Sequence, residues 1–136
     1  MSRRISREKA LQALFQIDLV NAKVERAVDY VLEQSVLEQT DAQFTRQLVT
    51  GTVEHLKECD EYIVRYAVQW GVDRLANVDR SILRMAIYEM KYVEEVPHTV
   101  TINEAIELAK AFSNEDSAKF INGLLDAIRK NELVIT

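Results

Sequence analysis

Residues 78–93 read VDRSILRMAIYEMKYV, and the reading of this stretch decides the fold. Ile82, Ala86 and Met90 recur every fourth residue, and Leu83 and Ile87 form an adjoining row. That is helical periodicity, not the alternation of a strand. The apolar surface is wider than the single stripe of a surface helix, so the segment is expected to be a central helix touched on several sides. Before it, VDRLANVDR (72–80) is the most polar stretch in the middle of the chain and reads as a joint; after it, Pro97 breaks the helix. The whole chain has three glycines and one proline. Sandwiches and barrels need many turn residues, so this scarcity favours long helices with short joints.

Working outward, nearly every other segment keeps the same period. Ser6 is placed to cap a first helix running to about Asn21, with one row at Ala10, Leu14 and Ile17 and a second at Leu11, Phe15 and Leu19. The second row exceeds what one core contact requires. A second helix is expected over about Val24–Leu37. Thr40 and Gln43 have capping-box spacing ahead of a third, with Phe44, Leu48, Val53 and Leu56. Gly51 inside it points to close helix approach, because glycine otherwise weakens a helix by about 1 kcal/mol. A fourth starts near Cys59–Asp60 and stops around Trp70–Gly71. Beyond Pro97, Thr101 with Glu104 and Ser113 with Asp116 suggest two more capping boxes, opening helices with Ile102, Ala105, Ile106, Ala109 and Phe112, then Ile121, Leu124, Leu125 and Ile128. The expected fold is all-α: about seven helices in two small bundles sharing one core. The 136 residues make one domain, with a basic arm over 1–8, an N-terminal bundle to about 70 and a C-terminal bundle from about 78.

Charge is unevenly placed. The net formal charge is −5, yet Arg3, Arg4, Arg7 and Lys9 against the one acid Glu8 give the first nine residues +3, leaving −8 on the other 127. A duplex-DNA binder carries a broad basic face. A short cationic arm on an acidic body is instead expected to steer a polyanion to one place while the body repels it elsewhere. The single cysteine, Cys59, excludes an internal disulfide and a cysteine-based zinc cage, and fits a reducing compartment. No apolar run approaches the twenty residues of a membrane span, and the first residues lack a signal-peptide core. A cytoplasmic protein is expected.

Catalytic chemistry finds little support. His55 and His98 lie in different elements without a ligand pattern and read as surface or capping histidines. There is no glycine-rich phosphate loop and no nucleophile elbow. Glu104 and Glu107 share a helical face, but with no base or second acid pair they read as a capping and a solvated residue. No enzyme activity, cofactor or metal is expected. One other stretch stands out, NEDSAKFINGLLD (114–126). Phe120 lies roughly 100° off the middle of the Ile121–Leu124–Leu125–Ile128 face. Beside Lys119 and Asn122 it offers a stacking surface flanked by a cation and an amide, which is how unstacked bases of single-stranded RNA are read. The alternative is that Phe120 closes the edge of the core. With the first and last helices side by side, the arm and this stretch would make one small RNA site.

These residues carry a resemblance. RREK-like residues followed by ALQALFQ, then NVDRSILRMAIYEM, then TINEAIELAKAFSNEDSAKFINGLLD resemble the NusB family of bacterial transcription antitermination factors, from Arg3 to about Ile128. The resemblance implies two packed helical bundles and a binding role. It implies contact with boxA RNA of nascent ribosomal transcripts, jointly with NusE, a small-subunit ribosomal protein, within an assembly of other Nus factors on RNA polymerase. Carried over by position, the RNA-facing residues would be Arg3, Arg4, Arg7, Gln12, Arg84, Glu115, Asp116, Lys119 and Phe120, with Asn122 from the stacking argument. The NusE-facing residues would be Phe15, Leu19, Arg74 and Asp79. Many relatives have tyrosine at Phe15, and some have glutamate at Asp79. Two alternatives remain: a stand-alone relative of the RNA-binding domain of RNA cytosine methyltransferases, although no methyl-donor domain follows in this sequence, and an interaction protein that homodimerises through Leu11, Phe15 and Leu19.

Overall fold

The computed structural model describes residues 3–67 and 75–133. Among them are seven α-helices and no strand: α1 (Arg3–Val20), α2 (Val24–Glu33), α3 (Gln39–Glu54), α4 (Leu56–Tyr66), α5 (Asn77–Tyr92), α6 (His98–Phe112) and α7 (Glu115–Glu132). The joint expected at 72–80 lies partly outside the described residues, as does the expected end of the fourth helix at Trp70–Gly71.

The centre is α5. Ile82, Leu83, Met85, Ala86, Ile87, Tyr88 and Met90 are all buried, and α5 packs against α1, α3, α4, α6 and α7. A helix this apolar on all sides is stable only when surrounded. On one side α1, α2 and α3 pack together; on the other, α5, α6 and α7 do. α4 follows α3 directly, yet it lies mainly on α5 and α7, so it joins the second group although it belongs to the segment expected in the N-terminal bundle. One continuous apolar core runs through both groups. α1 runs antiparallel to α5: Arg7 meets Glu89, and Asp18 meets Arg80.

Several helix starts differ from those expected, some because a polar side chain is used elsewhere. α1 begins at Arg3, so Ser6 is not a cap; its hydroxyl donates to the Asp41 carbonyl at 3.0 Å. α3 starts at Gln39 without a side-chain cap bond, so Thr40 and Gln43 form no box. α6 starts at His98 behind Pro97, whose ring fixes a φ suited to a helix start. Thr101 and Glu104 therefore lie inside α6, turned toward neighbouring helices. α7 is capped by Asn114, which accepts from the Ser117 amide at 2.7 Å, one residue after the expected Ser113. α2 ends at Glu33, short of Leu37.

Gly51 does mark a close approach. A Cβ there would meet the Tyr88 ring at 2.1 Å. Tyr88 stacks in turn on Tyr92, and His55 lies 4.2 Å from the Tyr92 ring centre while its Nδ1–H donates to the Gly51 carbonyl at 2.8 Å. Cys59 is buried with its Sγ against the Arg84 carbonyl, and burial, with Asp60 and Glu58 nearby, pushes its thiol up to about 12. It is a core residue and no nucleophile. Gly51→Ala is expected to gain helix propensity but to lose more by displacing Tyr88, with overpacking costs of about 1–3 kcal/mol; urea denaturation should show a lower midpoint with an unchanged slope.

Candidate nucleic-acid interface

The N-terminal cations are the first test of the site, because α1 begins against its own dipole. Cations near a helix N-terminus are unfavourable, and α1 has no acid in its first turn. Carboxylates from other elements compensate. Arg3 lies 3.5 Å from Glu95 and over the Phe44 ring, 4.2 Å from its centre. Arg4 donates to both oxygens of Glu104, at 3.0 and 2.8 Å, which holds the Glu104 carboxyl below the usual range. Arg7 goes further inside. It is 5 % exposed and paired with Glu89, itself 1 % exposed. Its Nε donates to Oε1 at 2.9 Å and its Nη2 to Oε2 at 2.5 Å, while the Thr101 hydroxyl donates to the same Oε2 at 2.9 Å.

The basic arm expected over residues 1–8 is largely neutralised within the molecule. From Arg3 onward they are helix, and all three arginines are paired. Arg7 is a structural residue that ties α1 to α5 and α6. Among these cations, Lys9 alone makes no ion pair among the described residues.

Arg84 is likewise committed. Its Nε and Nη2 donate to Asp60 at 2.7 and 2.8 Å, and its Nη1 to Asp18 at 3.2 Å. Asp18 also accepts from Arg80, whose Nη1 donates to the Leu75 carbonyl. These four side chains fasten the end of α1 and the middle of α4 to α5. A guanidinium so enclosed is a brace, and its expected reach toward RNA is not free.

The other candidates fall into three settings. Glu115, Asp116, Lys119 and Asn122 are exposed on the first two turns of α7, and Lys119 makes no ion pair among the described residues. Phe120 is half-buried against the core edge, so part of its ring is used in packing and part is open. Glu115 and Asp116 also suit the positive end of the α7 dipole. Gln12 is exposed, one turn beyond Glu8 on the row begun by Arg4. A shallow groove of about 130 Å³ separates this row from α6, lined by Arg4, Glu8, Glu104, Glu107, Leu108 and Ala111. It leads along α6 toward the α6–α7 corner. α1 and α7 do not pack as a pair; α6 bridges them.

For the expected partner face, Leu19 is 53 % exposed and Phe15 half-buried, both outside the core cluster. Arg74 lies outside the described residues. Asp79, expected on the same face, is only 8 % exposed and is turned to α7: its Oδ2 accepts from the Ser117 hydroxyl at 2.7 Å, and its Oδ1 is buried without a partner among the described residues.

A family model described as the NusB family matches residues 4–130. The chain belongs to the NusB family. It is 50 % identical over 131 residues to the transcription antitermination protein NusB of Bacillus subtilis strain 168, covering 96 % of this chain and 97 % of that one. Among solved structures it is similar to NusB of T. maritima, at 36 % identity and a TM-score of 0.90 over 96 % of this chain and 92 % of that one. It is also similar to a chain in a crystal structure of antitermination factors NusB and NusE in complex with dsRNA, at 26 % identity and a TM-score of 0.87 over 94 % and 96 %. Among the described residues no helix is long and apolar enough to cross a membrane, and no group of side chains is set to hold a metal ion.

Sequence reasoning missed Glu89, Asp18 and Ser117, and read Thr101 as a cap where its hydroxyl bonds Glu89. Glu89 left a signal, an acid between Tyr88 and Met90 in the most apolar helix. Arg7→Ala is expected to destabilise by about 3–5 kcal/mol, because it leaves a buried carboxylate uncompensated, whereas an Arg7→Met/Glu89→Leu pair should recover most of that loss. Chemical denaturation of the parent and these two variants checks both statements.

Proposed function

We propose that this protein is a transcription antitermination factor that binds boxA RNA of nascent ribosomal transcripts together with NusE. Through that pair it helps to assemble other Nus factors on RNA polymerase. Membership of the NusB family supports the class. The single observation that supports this placing of the RNA contact is the start of α7, where Lys119, without an ion pair among the described residues, and an exposed Asn122 flank the open edge of Phe120.

The chemistry follows from those groups. Phe120 offers a ring edge and face for base stacking, which tolerates any base. Asn122 offers both a donor and an acceptor to a base edge. Lys119 supplies a salt-sensitive hold on the phosphate backbone. Asp116 can accept from base amino groups and disfavours loosely placed phosphates. Arg4, exposed though paired, lines the α6 groove, and with Arg3 and Gln12 it supplies secondary contacts. Arg7 and Arg84 act through the fold. NusE is placed on Phe15 and Leu19, an apolar pair left outside the core. One small patch on this chain binds RNA modestly, and a partner contributing a second RNA-facing surface raises affinity by joining two sites. No bond is made or broken in this role.

Fluorescence anisotropy with labelled boxA RNA and a scrambled control tests the reading. Phe120→Ala is expected to cost about 1–3 kcal/mol of binding, and Lys119→Ala to lower the magnitude of the log–log salt slope by roughly 0.7. Leu19→Asp should leave RNA binding by the isolated protein unchanged and weaken NusE pairing. Equal binding of boxA and scrambled RNA, with both α7 variants matching the parent, would sink the assignment.

A further inference from the structure

We infer that Asp79 and Ser117 form a positioning latch for the RNA-reading turns of α7; this rests on the reading of α7 just proposed. Asp79 is the third residue of α5 and Ser117 the third of α7, so two helix N-termini meet at one hydrogen bond. That bond is charge-assisted, with the Ser117 Oγ donating to Asp79 Oδ2 at 2.7 Å. Ser117 is held twice more. Its hydroxyl accepts from the Ser113 Oγ at 3.0 Å, and its amide donates to the Asn114 side chain at 2.7 Å. The end of α6, the start of α7 and the start of α5 are therefore tied at a single residue.

Two further observations show that this junction serves position more than stability. Among the described residues Asp79 Oδ1 is buried with no hydrogen-bond partner, and a buried unsatisfied carboxylate oxygen is destabilising on its own account. The next residue, Arg80, is bound to Asp18 at the far end of α1. Consecutive residues of α5 thus hold α7 on one side and α1 on the other. Lys119 and Phe120 follow Ser117 by two and three residues, so a rotation of α7 about its axis at Ser117 carries both with it. The latch fixes the angle at which they meet RNA, and fixes it relative to the helix that carries Phe15 and Leu19. Asp79 is a positioning residue inside the chain.

The test measures boxA RNA affinity and urea stability for the full chain and for Ser117→Ala, Asp79→Ala, their double variant, Asp79→Asn and Phe120→Ala. Asparagine keeps an acceptor for the Ser117 hydroxyl. Ser117→Ala and Asp79→Ala should each weaken RNA binding by about three- to tenfold, and the double variant no more than either, as expected for one shared interaction. Asp79→Asn should stay within about twofold of the parent. If an alanine variant does not fold, Ser117→Thr against Ser117→Val makes the same comparison, since only threonine keeps the hydroxyl. Parental RNA affinity in the folded hydroxyl-less variants, with Phe120→Ala impaired, would overturn the latch and leave the α7 reading standing. Parental affinity in Phe120→Ala would remove the reading on which the latch rests.

Discussion

The buried ion pair between Arg7 and Glu89 is the constraint on which the arrangement of helices depends. A guanidinium and a carboxylate withdrawn this far from water are tolerable only with nearly all their hydrogen bonding satisfied. The structure meets that demand by bringing three helices to one point. Arg7 comes from α1, Glu89 from α5, and Thr101 from α6 adds the third hydrogen bond to Glu89. The Phe44 ring of α3 lies 5.5 Å from the Arg7 guanidinium. Apolar packing would allow α1 to slide or turn on α5 at modest cost. A bidentate pair does not, so the register between the two helical groups is set by polar geometry. At the other end of the same two helices, Asp18 with Arg80 and Arg84 repeats the device.

This has a consequence for charge. The cations that crowd the front of an acidic chain look like an electrostatic lure, but most of that charge is neutralised within the molecule. Arg3, Arg4 and Arg7 meet Glu95, Glu104 and Glu89, offsetting a helix start that would otherwise oppose its dipole. At the front of the chain what remains open to a polyanion is sparse: Lys9 and the outward edges of Arg3 and Arg4, with Lys119, Phe120 and Asn122 on α7. Sparse charge suits the proposed role, in which one RNA element is preferred over the many phosphates of a transcript. Non-specific attraction scales with the number of phosphates neutralised, while discrimination comes from stacking and polar edges.

Much of the fold was legible because it is written in apolar periodicity. The buried faces of α5 and α7 follow the rows read from Ile82–Met90 and Ile121–Ile128, and Gly51 announced the Tyr88 contact. Helix starts were less legible, because Ser6, Thr101 and Ser113 have the chemistry of caps, and the bonds they make instead reach neighbouring helices or, for Ser113, the next turn. The candidate site was legible in part. Exposure of Lys119 and Asn122 follows from the helical rows. The burial of Arg7 and Asp79 and the enclosure of Arg84 do not, since each depends on a partner 24 or more residues away in the chain: Glu89, Ser117 and Asp60. An arginine in a charged stretch gives no local sign of whether its carboxylate lies inside the same molecule.

The division between arginines that hold the fold and α7 residues proposed to read RNA is tested most directly by following arginine Nε–H and backbone amide NMR signals during a titration with boxA RNA. The account predicts that the Arg7 Nε–H resonance stays in place and exchanges slowly with solvent throughout, while the amides of residues 115–122 move progressively to saturation. An Arg7 resonance that shifts with the same binding curve as Lys119 and Phe120 would contradict it.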